Sequence, residues 1–185
     1  MAEERDLHTL NHDSRGQSTT PSGMGATGVV GATPSGGDRA DVIDVLQELV
    51  ECSKDGEYGF RACADQADRA DLKAMFVQRA DDCRRSAQEL NQLLRECGAS
   101  PEEGGSTMGA IHRGWVSIKA TLTEYDDQAV LEVCERGEDK AKARYRKALE
   151  KNLPANVRQV VQRQFEGVQR NHDQVKALRN QHRAA

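Results

Sequence analysis

Apolar side chains recur at intervals of three and four residues along four long segments of the chain. This spacing places them on one face of an α-helix, and it predicts amphipathic helices A, B, C and D over residues 39–66, 69–97, 126–151 and 154–181. Asp38 and Asp41 are typical N-terminal capping residues for helix A, as is Asp126 or Asp127 for helix C, and Gly98 is typical of a helix C-terminus. A shorter amphipathic helix is predicted over residues 107–122, between B and C.

A polar side chain interrupts the apolar row of each long helix near its middle. The interruptions are Glu57 in A, Arg79 in B with Asp82 on its flank, Glu138 in C and His172 in D. Buried charges are costly unless they are paired or bound to a metal. These positions are therefore the first candidates for function. Gly137, next to Glu138, supports this choice because glycine inside a helix costs about 1 kcal/mol relative to alanine.

The connections between the helices predict how they are arranged. The A–B and C–D turns are short, whereas the B–C connector is long enough to return the chain to the other end of a bundle. Helices B and C should then run parallel, as in the ferritin-like four-helix bundle with one long crossover. Counted from the A–B turn, the four interruptions, together with Glu135, lie within about one helical turn of the same depth. The sequence therefore predicts a polar layer across an all-α bundle.

The first residues of the chain differ from the rest in composition. Residues 1–37 are rich in glycine, serine and threonine and nearly lack large apolar side chains. Such a segment cannot bury enough surface to offset the entropy of ordering it. We expect a disordered tail over residues 1–37 and one ferritin-like domain over residues 38–182.

Charge and hydropathy limit the partners and the compartment. The 185 residues carry a net charge of -4, with basic residues interleaved among acidic ones, so nothing predicts a nucleic-acid surface. No apolar run is long enough to span a membrane, and the N-terminus lacks the pattern of a secretory signal. We expect a cytoplasmic protein that binds neither nucleic acid nor membrane.

The cysteines do not form a recognisable framework. They are Cys52, Cys63, Cys83, Cys97 and Cys134. Their odd number and the lack of a C-x-x-C motif argue against disulfides and against a structural zinc site. We interpret them as small buried apolar side chains. Copper storage through thiols is a further hypothesis, which the lack of closely spaced pairs does not favour.

Two interpretations of the polar layer remain open at this point. Carboxylates and imidazole suit iron, manganese or zinc. The candidate ligands are Glu57, Glu138 and His172, with Glu135 and Asp82 as auxiliaries. However, Arg79 would repel a cation, and helix D offers Gln169-x-x-His172 where di-metal bundles use Glu-x-x-His. The alternative is a buried ion-pair network, in which Arg79 neutralises Glu57 and Glu138 while His172 bonds to one of them.

Several short motifs resemble a known family. They are Asp-Gly-Glu-Tyr-Gly-Phe at 55–60, Ile-His-Arg-Gly-Trp at 111–115, Cys-Glu-Arg-Gly-Glu-Asp at 134–139, Leu-Pro at 153–154, Arg-Gln-Phe-Glu at 163–166 and His-Asp at 172–173. In order and spacing they resemble a bacterial family of ferritin-like four-helix-bundle proteins of unknown function. The resemblance spans residues 39–180. It implies a ferritin-like fold in a bacterial cytosolic protein and a loose association with stress responses, but no established reaction.

Two functional hypotheses follow. The first is a non-enzymatic, stress-associated bundle that acts as a homodimer or as a partner-binding module, with the ion-pair layer in its core. The second is a metal-dependent oxidoreductase or metal-handling protein that uses iron, manganese or zinc at Glu57, Glu138 and His172. We favour the first, because the missing second Glu-x-x-His argues against ferroxidase chemistry.

Overall fold

The computed structural model describes residues 36–101 and 126–184, and every regular element in these ranges is an α-helix. The helices are α1 (Gly36–Gln66), α2 (Ala70–Glu96), α3 (Asp127–Leu149) and α4 (Ala155–Ala184). They correspond to the predicted helices A to D. Residues 1–35 of the predicted tail and the predicted connector helix fall outside the described residues. Because α1 begins at Gly36, the predicted capping residues Asp38 and Asp41 lie inside this helix instead of preceding it. None of the four described helices is long and apolar enough to cross a membrane.

The helix ends follow local chemistry. The Asp126 side chain accepts a hydrogen bond of 2.7 Å from the Ala129 backbone N–H, which caps α3 as predicted. Gly98 has a φ of 72°, the left-handed conformation that ends helices and that glycine adopts without strain. Arg39 of α1 fixes this end of α2, since its Nε donates to the Cys97 carbonyl at 2.8 Å.

The bundle has the predicted topology. Short turns join α1 to α2 and α3 to α4, so each pair is antiparallel. Leu46, Leu94, Ala148 and Val157 share one apolar cluster. The C-terminal halves of α2 and α3 therefore meet at the same end of the bundle, and these two helices run parallel.

Apolar side chains form two clusters at different heights. The upper cluster contains Val42, Val45, Leu46, Leu49, Val50, Cys52, Leu90, Leu93, Leu94, Tyr145, Ala148, Leu153, Val157 and Val161. The lower cluster, beside the α1–α2 turn, contains Phe60, Cys63, Ala64, Ala67, Leu72, Phe76, Ala80, Val130, Leu131, Cys134 and Val175. Along their helices, Glu57, Asp82, Glu138 and His172 lie between the two clusters, and Arg79 lies at the edge of the lower one. The core is thus divided at the depth of the polar interruptions.

Candidate functional site

A cleft opens between the upper and lower clusters. It has a volume of about 1020 Å³ and is lined by side chains of all four helices. Glycines leave part of this space: Gly56 on α1, Gly137 on α3 and Gly167 on α4 all line it. A Cβ atom added at Gly137 would meet no atom within 4 Å, whereas one at Gly56 would lie 2.9 Å from Cys83 Sγ. Gly137 therefore borders open space, and Gly56 permits the close approach of α1 to α2.

Glu138 is the most perturbed carboxyl group of the cleft. Its side chain lies on the inward face of α3 and the residue is only 4% exposed. Burial raises the pKa of Glu138 to about 8, although the charges of Arg79 and Lys142 act in the opposite direction. Its Oε2 atom is buried and has no hydrogen-bond partner in the described part of the chain. At neutral pH this group is mostly protonated and can act as a hydrogen-bond donor.

Arg79 lines the same cleft from α2. Its guanidinium donates a hydrogen bond to the Gln174 side chain and lies 3.7 Å from the Asp82 carboxylate. Its Nε is buried without a partner. Within the described residues, Arg79 forms no ion pair with Glu57 or Glu138. Glu57 instead pairs with Arg61 at 2.8 Å, one turn along α1, because its side chain points to the flank of that helix. The predicted pairing of Arg79 with these two glutamates is therefore not the arrangement found.

His172 faces α3 rather than the cleft. Its Nε2 lies 3.0 Å from the Asp139 carboxylate, and its Nδ1 lies 3.1 Å from Lys142 Nζ and 3.0 Å from the Asp173 carboxylate. The residue is 6% exposed. Because both ring nitrogens are engaged with these groups, His172 does not bond to Glu57 or Glu138 as the ion-pair interpretation expected.

Glu135, the remaining candidate, is buried and pairs with Arg179 of α4. Three of the six predicted residues line the cleft: Arg79, Asp82 and Glu138. Glu57, Glu135 and His172 do not, and each has its own charged partner. The predicted layer is thus distributed over several local pairs.

These partners decide how well a metal fits. Within residues 36–101 and 126–184, no three His, Cys, Asp or Glu side chains are grouped so that they could hold a metal ion. A cation at Glu138 would meet the charge of Arg79, and His172 already has a lysine beside it. The described residues thus hold no preformed iron, manganese or zinc centre. Nothing in this geometry tests whether a metal binds at single side chains such as Glu138, so the metal-ligand assignment stays a prediction.

A series of buried hydrogen bonds that crosses the bundle was not predicted from the sequence. The hydroxyls of Ser53 and Tyr145 lie 3.3 Å apart, Tyr145 donates to Gln164 Oε1 at 2.9 Å, and Gln164 Nε2 donates to Glu89 at 2.8 Å. Each of the four helices contributes one residue to this series of hydrogen bonds. Gln164 follows Val161 by three positions, which places it beside the inward face of α4 and was the available signal.

Among the described residues that line the cleft, basic side chains outnumber acidic ones. The acidic ones are Asp55, Asp82, Glu89 and Glu138, and the basic ones are Arg79, Arg85, Arg136, Lys140, Arg144, Arg163 and Arg170. Three of the carboxylates are paired within the cleft: Asp55 with Arg144 at 3.1 Å, Asp82 with Arg85, and Glu89 with Arg163. Since Glu138 is mostly protonated, the cleft carries a surplus of positive charge although the whole chain is acidic.

Unpartnered polar atoms are concentrated in the cleft. In the described part of the chain, four buried side-chain atoms lack a hydrogen-bond partner: Glu138 Oε2, Arg79 Nε, Asp55 Oδ1 and Gln128 Oε1. The first three belong to residues that line the cleft. Buried polar groups nearly always have partners in folded proteins. The cleft therefore has hydrogen-bonding capacity that the protein itself does not use.

Four of the five cysteines also line the cleft, all as free thiols: Cys52, Cys63, Cys83 and Cys134. Cys63 of α1 and Cys134 of α3 are in hydrogen-bonding contact, a pair that sequence spacing could not reveal. Burial raises the pKa of Cys52 to about 11 and also raises the pKa of Cys83 and Cys134. The thiols of Cys52, Cys83 and Cys134 are therefore protonated, and Cys52, Cys63 and Cys134 are the small buried side chains we expected, whereas Cys83 is half-buried.

The chain is similar in sequence to a known protein family and in fold to solved structures. Residues 41–151 match the model of a family described as a domain of unknown function (DUF2383). Two solved Mycobacterium smegmatis structures are similar. One, a Dps1 mutant, has 18% identity and a TM-score of 0.66 over 79% of this chain and 99% of that chain. The other, a tetragonal form of Dps, has 19% identity and a TM-score of 0.63 over 83% of this chain and 93% of that chain. No curated protein matches. The structural likeness confirms the predicted ferritin-like four-helix bundle.

Proposed function

This chain belongs to the family described as a domain of unknown function (DUF2383), whose model spans α1, α2 and α3, and from that premise we propose a function based on the cleft. The protein is a non-enzymatic binding protein that binds a small organic ligand, the guest, in the cleft between its upper and lower clusters. This is a specific form of the interaction protein expected from the sequence.

One observation carries the proposal. Three of the four unpartnered buried polar atoms of the described residues belong to residues lining one cleft. An unsatisfied buried polar group costs about 1–3 kcal/mol. A ligand that forms hydrogen bonds with several such groups in one cleft therefore stabilises the folded protein. The volume of about 1020 Å³ is at the upper end of small-molecule sites.

The chemistry of the cleft supports binding rather than catalysis. Cys52, Cys83 and Cys134 have raised pKa values, so the thiolate needed for nucleophilic attack is scarce at these positions. His172, the buried histidine of the described residues, lies outside the cleft and is engaged with α3 side chains. The features that remain are hydrogen-bonding groups, positive charge and apolar walls.

A neutral dye tests the proposal. We expect N-phenylnaphthylamine to bind with saturable fluorescence enhancement at one site per chain. Gly137→Phe should weaken this binding by at least about tenfold, because its ring has free space to enter at the cleft. Ala143→Phe is the matched control, since it adds the same ring to an exposed position of α3 that does not line the cleft. Dye binding that is absent, or equally strong in the Gly137→Phe variant, would contradict the proposal.

Metal handling is the second candidate, and one observation favours it. Glu138 presents an unpartnered carboxyl oxygen, a ligand atom that iron, manganese or zinc can use. The test is elemental analysis of tag-free protein after aerobic loading with each metal. We expect less than stoichiometric metal in the wild type. Stoichiometric metal that is lost in Glu138→Ala would replace the binding proposal with this one.

We also propose that the protein associates with a second copy of itself as a homodimer. The homodimer, the cytoplasmic location and the link to stress responses stay predictions. Sedimentation velocity checks the first of these, and a single monomeric species over a wide concentration range would count against the dimer.

A further inference from the structure

The proposed cleft function leaves the chemistry of the guest open. Resting on that function, we propose that the guest is an organic carboxylate with an apolar body, and that its carboxylate oxygens accept hydrogen bonds from Glu138 and Arg79. The apolar body then lies along the apolar walls of the cleft, and the positive rim draws the anion in.

The two anchoring groups come from facing helices. Glu138 on α3 and Arg79 on α2 line the same cleft. Within the described residues, Glu138 Oε2 and Arg79 Nε are buried and lack hydrogen-bond partners. Arg79 is also the cation whose charge lowers the pKa of Glu138 most, so the two groups are neighbours. With Glu138 protonated, both groups offer hydrogens. A carboxylate offers only acceptor lone pairs and matches both, whereas an ammonium group offers only donors and matches neither.

Charge around the cleft favours the same class of guest. Arg136, Lys140 and Arg170 line it and are exposed, and within residues 36–101 and 126–184 they have no carboxylate partner of the kind that the other cleft arginines have. Such a surplus of one sign in a cleft attracts ligands of the opposite sign and raises their association rate. The whole chain has a net charge of -4, so this positive field is local to the cleft.

The apolar residues that line the cleft favour a ligand with an apolar body over a bare inorganic anion. Phe60, Val133, Ala141 and Val168 line the cleft together with the buried thiols. Burial of apolar surface contributes about 25 cal/mol per Å², so an alkyl or aromatic body adds affinity that a bare anion lacks.

The affinity of Glu138 and Arg79 for the carboxylate should depend on pH. The charged groups that act most strongly on Glu138 are Arg79 from α2, Lys142 and Asp139 from α3, and Asp173 from α4. The other described charged residues that line the cleft are Asp55 from α1, Asp82, Arg85 and Glu89 from α2, Arg136, Lys140 and Arg144 from α3, and Arg163 and Arg170 from α4. When Glu138 ionises, it loses its donor and repels a carboxylate. Binding should therefore weaken as the pH rises through about 8, the pKa of this group.

Calorimetric titration with three probes of equal chain length tests the proposal: decanoate, decanol and decylamine, each below its micelle-forming concentration at neutral pH. We expect decanoate to bind at least about tenfold more tightly than the other two. Arg79→Met should remove this preference, because it should weaken decanoate binding much more than decanol binding. Arg84→Met is the control, because Arg84 lies on the same helix outside the cleft and pairs with Asp81 at 3.2 Å. Between about pH 6 and pH 9, decanoate affinity should fall at least about fivefold in the wild type but not in Glu138→Gln.

The outcomes separate this inference from the function it rests on. Decylamine binding as tightly as decanoate, or a preference for decanoate that survives Arg79→Met, overturns the carboxylate assignment and leaves the binding function in place. If neither the three probes nor the neutral dye binds, both fail. Thermal unfolding of each variant checks the fold. If Arg79→Met is unfolded, Arg79→Lys keeps the charge without the Nε donor and should also weaken decanoate binding.

Discussion

Replacing Glu138 by glutamine should make the protein more stable at neutral pH, by an amount that grows with pH. Glutamine has nearly the shape of the protonated glutamate side chain but cannot ionise. The wild-type group has a pKa of about 8 in the folded chain, raised by burial from an ordinary value of 4.5. Its ionised form is therefore disfavoured in the folded state, and the substitution removes this penalty.

The magnitude follows from the linkage between protonation and folding. Between pH 4.5 and about pH 8, the unfolded chain has released this proton and the folded chain retains it. The group therefore stabilises the fold least at high pH, and the wild type loses about 1.4 kcal/mol per pH unit across this window relative to glutamine. Between about pH 5 and pH 7 the difference grows by about 2.5 kcal/mol, and above about pH 8 it becomes constant.

Urea unfolding of both proteins at several pH values measures this difference, since the free energy of unfolding is read at each pH for the pair. Glu135→Gln is the matched control, because Glu135 is buried one turn away on α3 but pairs with Arg179. That substitution should destabilise the protein by about 1.5–3 kcal/mol, since it leaves the Arg179 side chain without its anionic partner.

One result would refute the reasoning about Glu138. If the difference in unfolding free energy between Glu138→Gln and the wild type is the same at about pH 5 and pH 7, the carboxyl group is ionised in the folded protein at both values. The cleft would then hold a carboxylate, and the donor role proposed for Glu138 would not stand.

Two further predictions concern packing and the buried hydrogen bonds. Gly137→Ala should raise the free energy of unfolding by up to about 1 kcal/mol through helix propensity, because the new methyl group meets no atom within 4 Å. Gly56→Ala has the same propensity gain, but its methyl group would lie 2.9 Å from Cys83 Sγ, so overpacking of about 1–3 kcal/mol should lower the melting temperature unless Cys83→Ala is added. Tyr145→Phe should lower the urea midpoint by an amount equivalent to about 1–3 kcal/mol with an unchanged m-value, because Gln164 Oε1 loses its buried donor at 2.9 Å. A Gly56→Ala variant as stable as Gly137→Ala, or a Tyr145→Phe variant with the wild-type midpoint, would contradict these accounts.

The helices and their depth could be predicted because they depend on local and periodic features. A repeat of three and four residues fixes which face of a helix is apolar, and residues such as Asp126 and Gly98 fix where helices begin and end. Counting residues along rigid helices of constant rise also places the interruptions at one depth. The structure accordingly divides its core where Glu57, Asp82 and Glu138 occur.

The partners of these polar residues could not be predicted in the same way. Long side chains reach several ångströms sideways, so their partners depend on how each helix is rotated and how closely it approaches its neighbours. Glu57 reaches Arg61 on its own helix, and His172 reaches Asp139 across the α3–α4 contact. Both were expected to meet at one centre with Glu138.

The sequence by itself determined a ferritin-like bundle with a costly carboxyl group, Glu138, at mid-depth in its core. The tertiary structure alone decided that this group is left without a partner in a cleft. The physical reason lies in interhelical distance. Gly56 lets α1 press against Cys83 of α2, while the backbones of α2 and α4 stay farther apart and are joined by long side chains such as Arg79 and Gln174. A helical repeat specifies the face that a residue occupies but not the width of the gap that the face borders.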